Sequence, residues 1–201
     1  MKKTLVAGLA VGMMVAGASS LVEASVLNFE NPQTDGTYEI ADGYGGFDWN
    51  NMRVIDGPSV HPVSGYTNGV VSGSQVAYNS WAGMAITSRG SDFTFNGAYL
   101  TGAWNDGLQI TVEGYDDGSL VYSNTVTASA YAPTYFAFNY QNVDELRFSS
   151  FGGVDAGFPG GGTHFAMDNF TYNAVPVPAT FLLLGSGLAG LVGSRISRRK
   201  R

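Results

Sequence analysis

The chain has 201 residues, among them 28 Gly, 12 Phe, 11 Tyr and 3 Trp, with no Cys and a formal charge of −6. That length fits one domain with tails. Without Cys there is no disulfide scaffold, thiolate metal site or Cys nucleophile, and two His leave little room for His-rich metal sites or His-based catalysis.

In chain order, the first element is a secretory signal peptide, residues 1–24. Lys2 and Lys3 form the charged n-region, an apolar run extends from Leu5 to Ala18, and Val22-Glu23-Ala24 offers a cleavage tripeptide, placing the cut between Ala24 and Ser25. Residues 25–174 follow as one domain. They hold only Arg53, Arg89 and Arg147 against fifteen acidic residues, a net charge of −12. Such a surface repels nucleic acid, which needs a basic footprint. It also leaves carboxylates free for divalent cations.

Aromatics with Val, Thr and Ile, punctuated by Gly and Asn, are β composition. Short strands are expected at Val26–Glu30, Phe47–Ile55, Val70–Ser72, Gln75–Asn79 and Ala85–Ser88. The next begins at Phe93. Leu108–Tyr115 alternates apolar and polar residues, Asp116-Asp117-Gly118 signals a tight turn, and Leu120–Val126 completes a hairpin. Tyr135–Tyr140, Leu146–Phe151 and His164–Tyr172 close the series, with a Gly-rich loop from Gly152 to Gly162 before the last strand. The fold class is all-β: a jelly-roll β-sandwich of about ten short antiparallel strands. Residues 175–201 are a separate tail. Val175-Pro176-Val177-Pro178 leads into an apolar run from Ala179 to Ser194, then Arg195, Arg198, Arg199, Lys200 and Arg201. The run is short for a transmembrane helix, for which roughly 17–25 residues are usual, and snorkelling of Arg195 extends it. The basic cluster is expected to stop transfer on the cytoplasmic side of the inner membrane.

Val-Pro-Val-Pro-Ala-Thr-Phe-Leu-Leu-Leu-Gly-Ser-Gly-Leu-Ala-Gly-Leu, residues 175–191, together with the Arg cluster, resembles the PEP-CTERM sorting signal. The family's motif is carried by Pro176, Val177 and Pro178, with Val177 where the family usually has Glu. The resemblance implies an exosortase-like protease as partner and a transient tether to the inner membrane on its periplasmic side. After processing near Pro178, it implies a place on the cell surface or in the extracellular matrix. In the middle domain, Val26-Leu-Asn-Phe-Glu-Asn31 and His164-Phe-Ala-Met-Asp-Asn-Phe-Thr-Tyr172 resemble the first and last strands of jelly-roll carbohydrate-binding modules. That resemblance implies a structural calcium ion shared by Glu30 and Asp168, six to eight hard oxygens being needed in all.

Sugar faces stack on exposed aromatics. Trp81, in the loop-like Asn79-Ser-Trp-Ala-Gly83, Tyr44 in a Gly-rich loop and Tyr131 beside Pro133 are the candidate ligand-binding residues. Trp49 and Trp104 lie in strand patterns and are expected in the core. Glycosidase chemistry needs two carboxylates about 5–10 Å apart, which fifteen acids supply without selecting any pair. A Ser–His–Asp triad would need His61 or His164, and the chain lacks a Gly-x-Ser-x-Gly elbow. No catalytic residue is assigned. The expectation is an exported, non-catalytic domain that binds exopolysaccharide, with a purely structural matrix protein as the alternative and a glycoside-active enzyme behind both.

Overall fold

The computed structural model describes residues 23–31 and 36–174. Most of the signal peptide, the Pro176–Val177–Pro178 motif, the apolar run and the cluster Arg195, Arg198, Arg199, Lys200 and Arg201 lie outside the described residues. Among the described residues, no helix is long and apolar enough to cross a membrane.

Twelve strands form among the described residues: β1 (Ser25–Leu27), β2 (Thr37–Glu39), β3 (Asp48–Asn50), β4 (Met52–Asp56), β5 (Gln75–Asn79), β6 (Ala85–Gly102), β7 (Asn105–Asp106), β8 (Leu108–Asp116), β9 (Ser119–Ala128), β10 (Thr134–Phe151), β11 (Val154–Asp155) and β12 (Phe165–Ala174). Two single-turn helices, α1 (Gly57–Val60) and α2 (Gly65–Asn68), sit between β4 and β5. Ten strands make one antiparallel sheet in the order β2-β4-β5-β12-β6-β10-β8-β9, with β1 added on β12 and β3 on β6. β7 and β11 pair separately, β11 lying inside the Gly-rich segment that reads in sequence as a loop.

Several expected strands change their bounds. Ala85–Ser88 and the strand from Phe93 fuse into the 18-residue β6, and Tyr135–Tyr140 fuses with Leu146–Phe151 into the 18-residue β10. Phe47–Ile55 is split at Asn51, whose φ is +57°. Val70–Ser72 is not a strand; it is part of a loop held by carboxylates. The hairpin at Asp116–Gly118 forms as expected, with φ of +47° at Asp117 and +76° at Gly118, the mirror-image turn that matches strand twist.

The β6–β10 ribbon folds over itself. Ala85 of β6 pairs with Phe148 of β10, and Phe95 lies ten residues further along β6. A straight strand would separate them by about 33 Å. The Phe95 and Phe148 rings are nevertheless 6.2 Å apart. The bend coincides with three register shifts between Ala137 and Glu145, where Asn139 and Asn142 take φ of +54° and +53°. Asn tolerates this left-handed backbone better than most residues, and bulges of this kind curve a strand. The result is an antiparallel β-sandwich closed over an aromatic core, where Phe29, Phe47, Phe93, Phe95, Phe148, Phe165 and Phe170 are each 0–1% exposed. Trp49 and Trp104 are buried as expected. The first and last strands are neighbours, with Ser25 opposite Tyr172.

Period-2 alternation places successive residues on opposite faces. Val54, Ala77 and Met167 enter the large core, while Ile55, Val76 and Ala166 enter a second cluster with Tyr66, Ala103 and Trp104. The β4–β5–β12 part of the sheet therefore has two covered faces. Its outer face carries the candidate site.

Candidate functional site

The site begins with strand register. Thr37 opposes Ile55, Arg53 opposes Tyr78, and Tyr78 opposes Ala166. This row of side chains faces away from the large core. The α1–α2 insertion then folds over one end of it. Asp56 caps α1, its carboxylate accepting from the Ser59 N–H at 2.9 Å, and that acceptance holds the Asp56 carboxyl below its usual range against the opposing effect of burial. Ser64 caps α2, and the Ser64 and Thr67 hydroxyls both donate to the His61 carbonyl at 2.7 Å. The insertion thereby carries His61 and Tyr66 to the site. Gly65 permits the approach: its N–H donates to the Ala103 carbonyl at 2.8 Å, and a Cβ there would collide with the Gly102 carbonyl oxygen.

The side chains enclose a cavity of about 420 Å³, lined by Thr37, Arg53, Ile55, His61, Tyr66, Tyr78, Ser80, Trp81, Trp104 and His164. Its walls are aromatic. The His61 ring stacks on Tyr66 at 5.7 Å and meets Trp104 edge-on at 5.1 Å, and Tyr66 meets Tyr78 and Trp104 at 5.3 and 5.4 Å. Burial pushes the Tyr66 hydroxyl far above the ordinary phenol range, with Tyr78 adding to it. A second cavity of about 360 Å³ adjoins the first and shares Arg53, Ser80 and Trp81 with it. Its own walls are polar, including Glu39, Asn50 and Asn51.

Trp81 stands at the border of the two cavities and is 91% exposed. It and Ala82 have φ of +55° and +52°, unfavourable for residues with a Cβ. Two side-chain amides hold that turn. Asn51 Nδ2 donates to the Ser80 and Met84 carbonyls at 3.0 and 2.9 Å. Asn79, fully buried, donates to the Gly83 carbonyl at 3.1 Å and accepts the Phe165 N–H at 2.8 Å. An exposed indole held out on left-handed backbone is the strain pattern that clusters at ligand sites.

The three expected aromatics do not share one platform. Trp81 lines the cleft. Tyr44 is half-buried against Phe29, its carbonyl accepting from Trp49 Nε1 at 3.0 Å, and Tyr131 stands against Phe158 with its hydroxyl donating to the Ala156 carbonyl at 3.1 Å. Sequence reasoning missed Arg53, His61, Tyr66, Tyr78 and His164 as site residues. The one local hint was the outward phase of Arg53 and Ile55 in an otherwise apolar β4.

Glu30 and Asp168 each accept hydrogen bonds from the same loop, residues 71–75. Asp168 is fully buried. Its Oδ2 accepts from the Val71 and Ser72 N–H groups at 2.8 and 2.9 Å, and its Oδ1 from the Asn169 N–H at 2.6 Å and the Ser72 hydroxyl at 3.3 Å. Glu30 Oε1 accepts from the Ser74 and Gln75 N–H groups at 3.0 and 2.7 Å. Gly73, at φ of +63°, has no room for a Cβ beside the Glu30 carboxylate. Burial pushes the Asp168 carboxyl up, and its donors act in the opposite sense. Calcium is ligated by oxygens, whereas the hydrogen bonds these carboxylates accept come from N–H and O–H donors. The arrangement fits an anchor for the loop that leads into β5 and hence to Tyr78 and Trp81. Elsewhere, Asp116, Asp117 and Asp144 cluster at the β8–β9 turn, with the Asp117 N–H donating to Asp144 at 3.1 Å.

His164 supplies a pH signature. Burial holds its imidazole below the ordinary value of 6.5, so the unfolded chain binds the proton more readily. Its contribution to stability is present above pH 6.5 and is lost as pH falls through that value toward the folded-state one. Thermal melts between pH 7 and 5 should fall more steeply for the native chain than for His164→Asn; parallel slopes would refute the assignment.

Residues 174–200 match the family model described as the PEP-CTERM protein-sorting motif. No curated protein sequence matches the chain. Solved structures of similar shape include TmCBM61 in complex with β-1,4-galactotriose, at 10% identity and a TM-score of 0.37, covering 67% of this chain and 94% of that one. Another is CBM51 from Clostridium perfringens GH95 in complex with methyl-galactose, at 10% identity and a TM-score of 0.35, covering 75% of this chain and 100% of that one. A third is the M60 catalytic domain with CBM51-1 and CBM51-2 of Clostridium perfringens ZmpB, at 8% identity and a TM-score of 0.37, covering 76% of this chain and 15% of that one.

Proposed function

We propose that this chain, whose PEP-CTERM motif implies export and surface or extracellular sorting, is a non-catalytic polysaccharide-binding protein that engages its ligand across Trp81. The observation carrying this reading is the strained, 91% exposed indole between two cavities, one aromatic and one polar. Sugars offer apolar CH faces to such a ring and hydroxyls to neighbouring amides, and pocket volumes of a few hundred Å³ suit small saccharide segments. Two cavities sharing one tryptophan suit consecutive residues of a chain. Among the described residues no carboxylate lines the aromatic cavity, and Glu39 is the one acid in the polar cavity. A glycosidase needs a pair. In this reading an exosortase-like protease processes the tail near Pro178, and the released domain works in the matrix.

Affinity electrophoresis of the full-length protein in mild detergent, against a panel of neutral and acidic polysaccharides, tests the reading. Trp81→Ala should weaken retention by about tenfold or more, the effect of an aromatic hot spot. Its melting temperature should stay close to that of the native chain, because the ring makes little contact with the fold. Retention of no polymer would leave the structural matrix role as the reading of the domain.

A further inference from the structure

We infer that the cleft selects a polysaccharide whose sugars carry carboxylates, a uronate-bearing chain; this narrows the glycan-binding reading above and rests on it. Residues 25–174 contain no Lys, three Arg and two His among fifteen acidic residues. Arg53 nevertheless lines the aromatic cavity as its one permanent cation, with the ring nitrogens of His61 and His164 as further polar groups.

The two remaining Arg are already engaged by the fold. Arg89 lies 5.4 Å from the ring centres of Phe47 and Tyr172. Arg147 is 2.6 Å from Glu145 and lies 4.0 Å over the Tyr115 ring. Arg53 is held more loosely. Its Nη1 is 3.5 Å from Glu39 Oε1, and that Glu39 side chain is 82% exposed. Its Nη2 donates to the Thr37 hydroxyl at 3.2 Å. A long ion pair in solvent is weak, so a ligand carboxylate can take the place of Glu39. The planar guanidinium fork matches a carboxylate with two parallel hydrogen bonds. Arg53 and Trp81 together line both cavities, so one ligand can stack a ring on the indole and set a charge on the guanidinium. The net −12 of residues 25–174 repels a polyanion at long range, and the basic tail of the full chain is the same in every variant, so the difference between the native chain and Arg53→Gln reports this local site.

The test uses the full-length protein in mild detergent, with six polymers in parallel. These are polygalacturonate and alginate, their uncharged esters (fully methyl-esterified polygalacturonate and propylene glycol alginate), and neutral galactan and dextran. The expected result is retention by an acidic polymer about tenfold or more above its ester. Arg53→Gln should remove that advantage, Arg53→Lys should restore part of it, and Arg147→Gln should leave it unchanged. Equal retention of acid and ester, retention of neutral polymers alone, or an unaffected Arg53→Gln variant would overturn carboxylate selection and leave glycan binding standing. Retention of none of the six would overturn both.

Discussion

Asp168→Ala should lower the melting temperature by on the order of 10 °C. Hydrogen bonds to a charged group contribute about 1.5–3 kcal/mol each, and the substitution takes the acceptor from the N–H groups of Val71, Ser72 and Asn169. A loss of about 3 kcal/mol translates into that shift for a domain of this size. Asp168→Asn should recover only part of it, because one acceptor oxygen becomes a donor facing other donors. Differential scanning calorimetry in EDTA and in added calcium separates the two accounts of this junction. If hydrogen bonds alone hold it, the native melting temperature is the same in both. A rise of several degrees in calcium, lost in EDTA and absent from Asp168→Ala, would instead establish an ion at Glu30 and Asp168. The variant should also weaken polysaccharide retention, since the loop it releases leads into β5 and so to Tyr78 and Trp81. Loss of stability without any loss of retention would detach the loop from the site.

Phe170→Ala should cost a similar or larger amount, about 3–5 kcal/mol. The Phe170 ring is fully buried and packs on Phe95 at 4.8 Å, Phe47 at 5.4 Å, Trp49 at 5.8 Å and Tyr172 at 6.0 Å. It joins β3, β6 and β12, so its removal opens a cavity between elements that cannot collapse independently. Phe170→Leu keeps most of the apolar volume and should lose less. Chemical denaturation midpoints at constant slope would show this, and a Phe170→Ala midpoint close to the native one would contradict the packing described.

Much of the architecture was readable because aromatic alternation and turn chemistry are local. The Leu108–Asp116 hairpin needed only its own periodicity and an Asp-Gly turn. The burial of Trp49 and Trp104 followed from their strand contexts. The fusion of strands into β6 was not readable. Arg89-Gly-Ser-Asp92 has the composition of a turn, and only pairing with a bulged partner makes it the bend of one long strand. The site was hidden for a related reason. Arg53, His61, Tyr66, Tyr78 and His164 are distant in sequence, and they meet because β12 pairs with β5 and because a short insertion folds over the outer face of β4. Two isolated histidines read as unremarkable until that register is known. Trp81 alone announced itself, through a loop-like setting that left its ring nowhere to hide. Glu30 and Asp168 were singled out only through the resemblance of their strands, and the donors they meet belong to backbone whose position only the folded loop defines.

One consequence lies in the direction of β12. The strand starts next to His164 at the cleft and ends at Ala174, where the sorting motif begins. Nine residue steps at about 3.3 Å each carry the chain at most roughly 30 Å away from the site, less the bend at the bulge beside Asn169. β1 runs alongside in the opposite sense, so Ser25 also emerges at that far end. Both ends of the described fold thus leave from one pole, and the binding face occupies the other. A molecule gripped by its tail holds its cleft outermost, and trimming or exchanging the tail changes the leash without touching the hand.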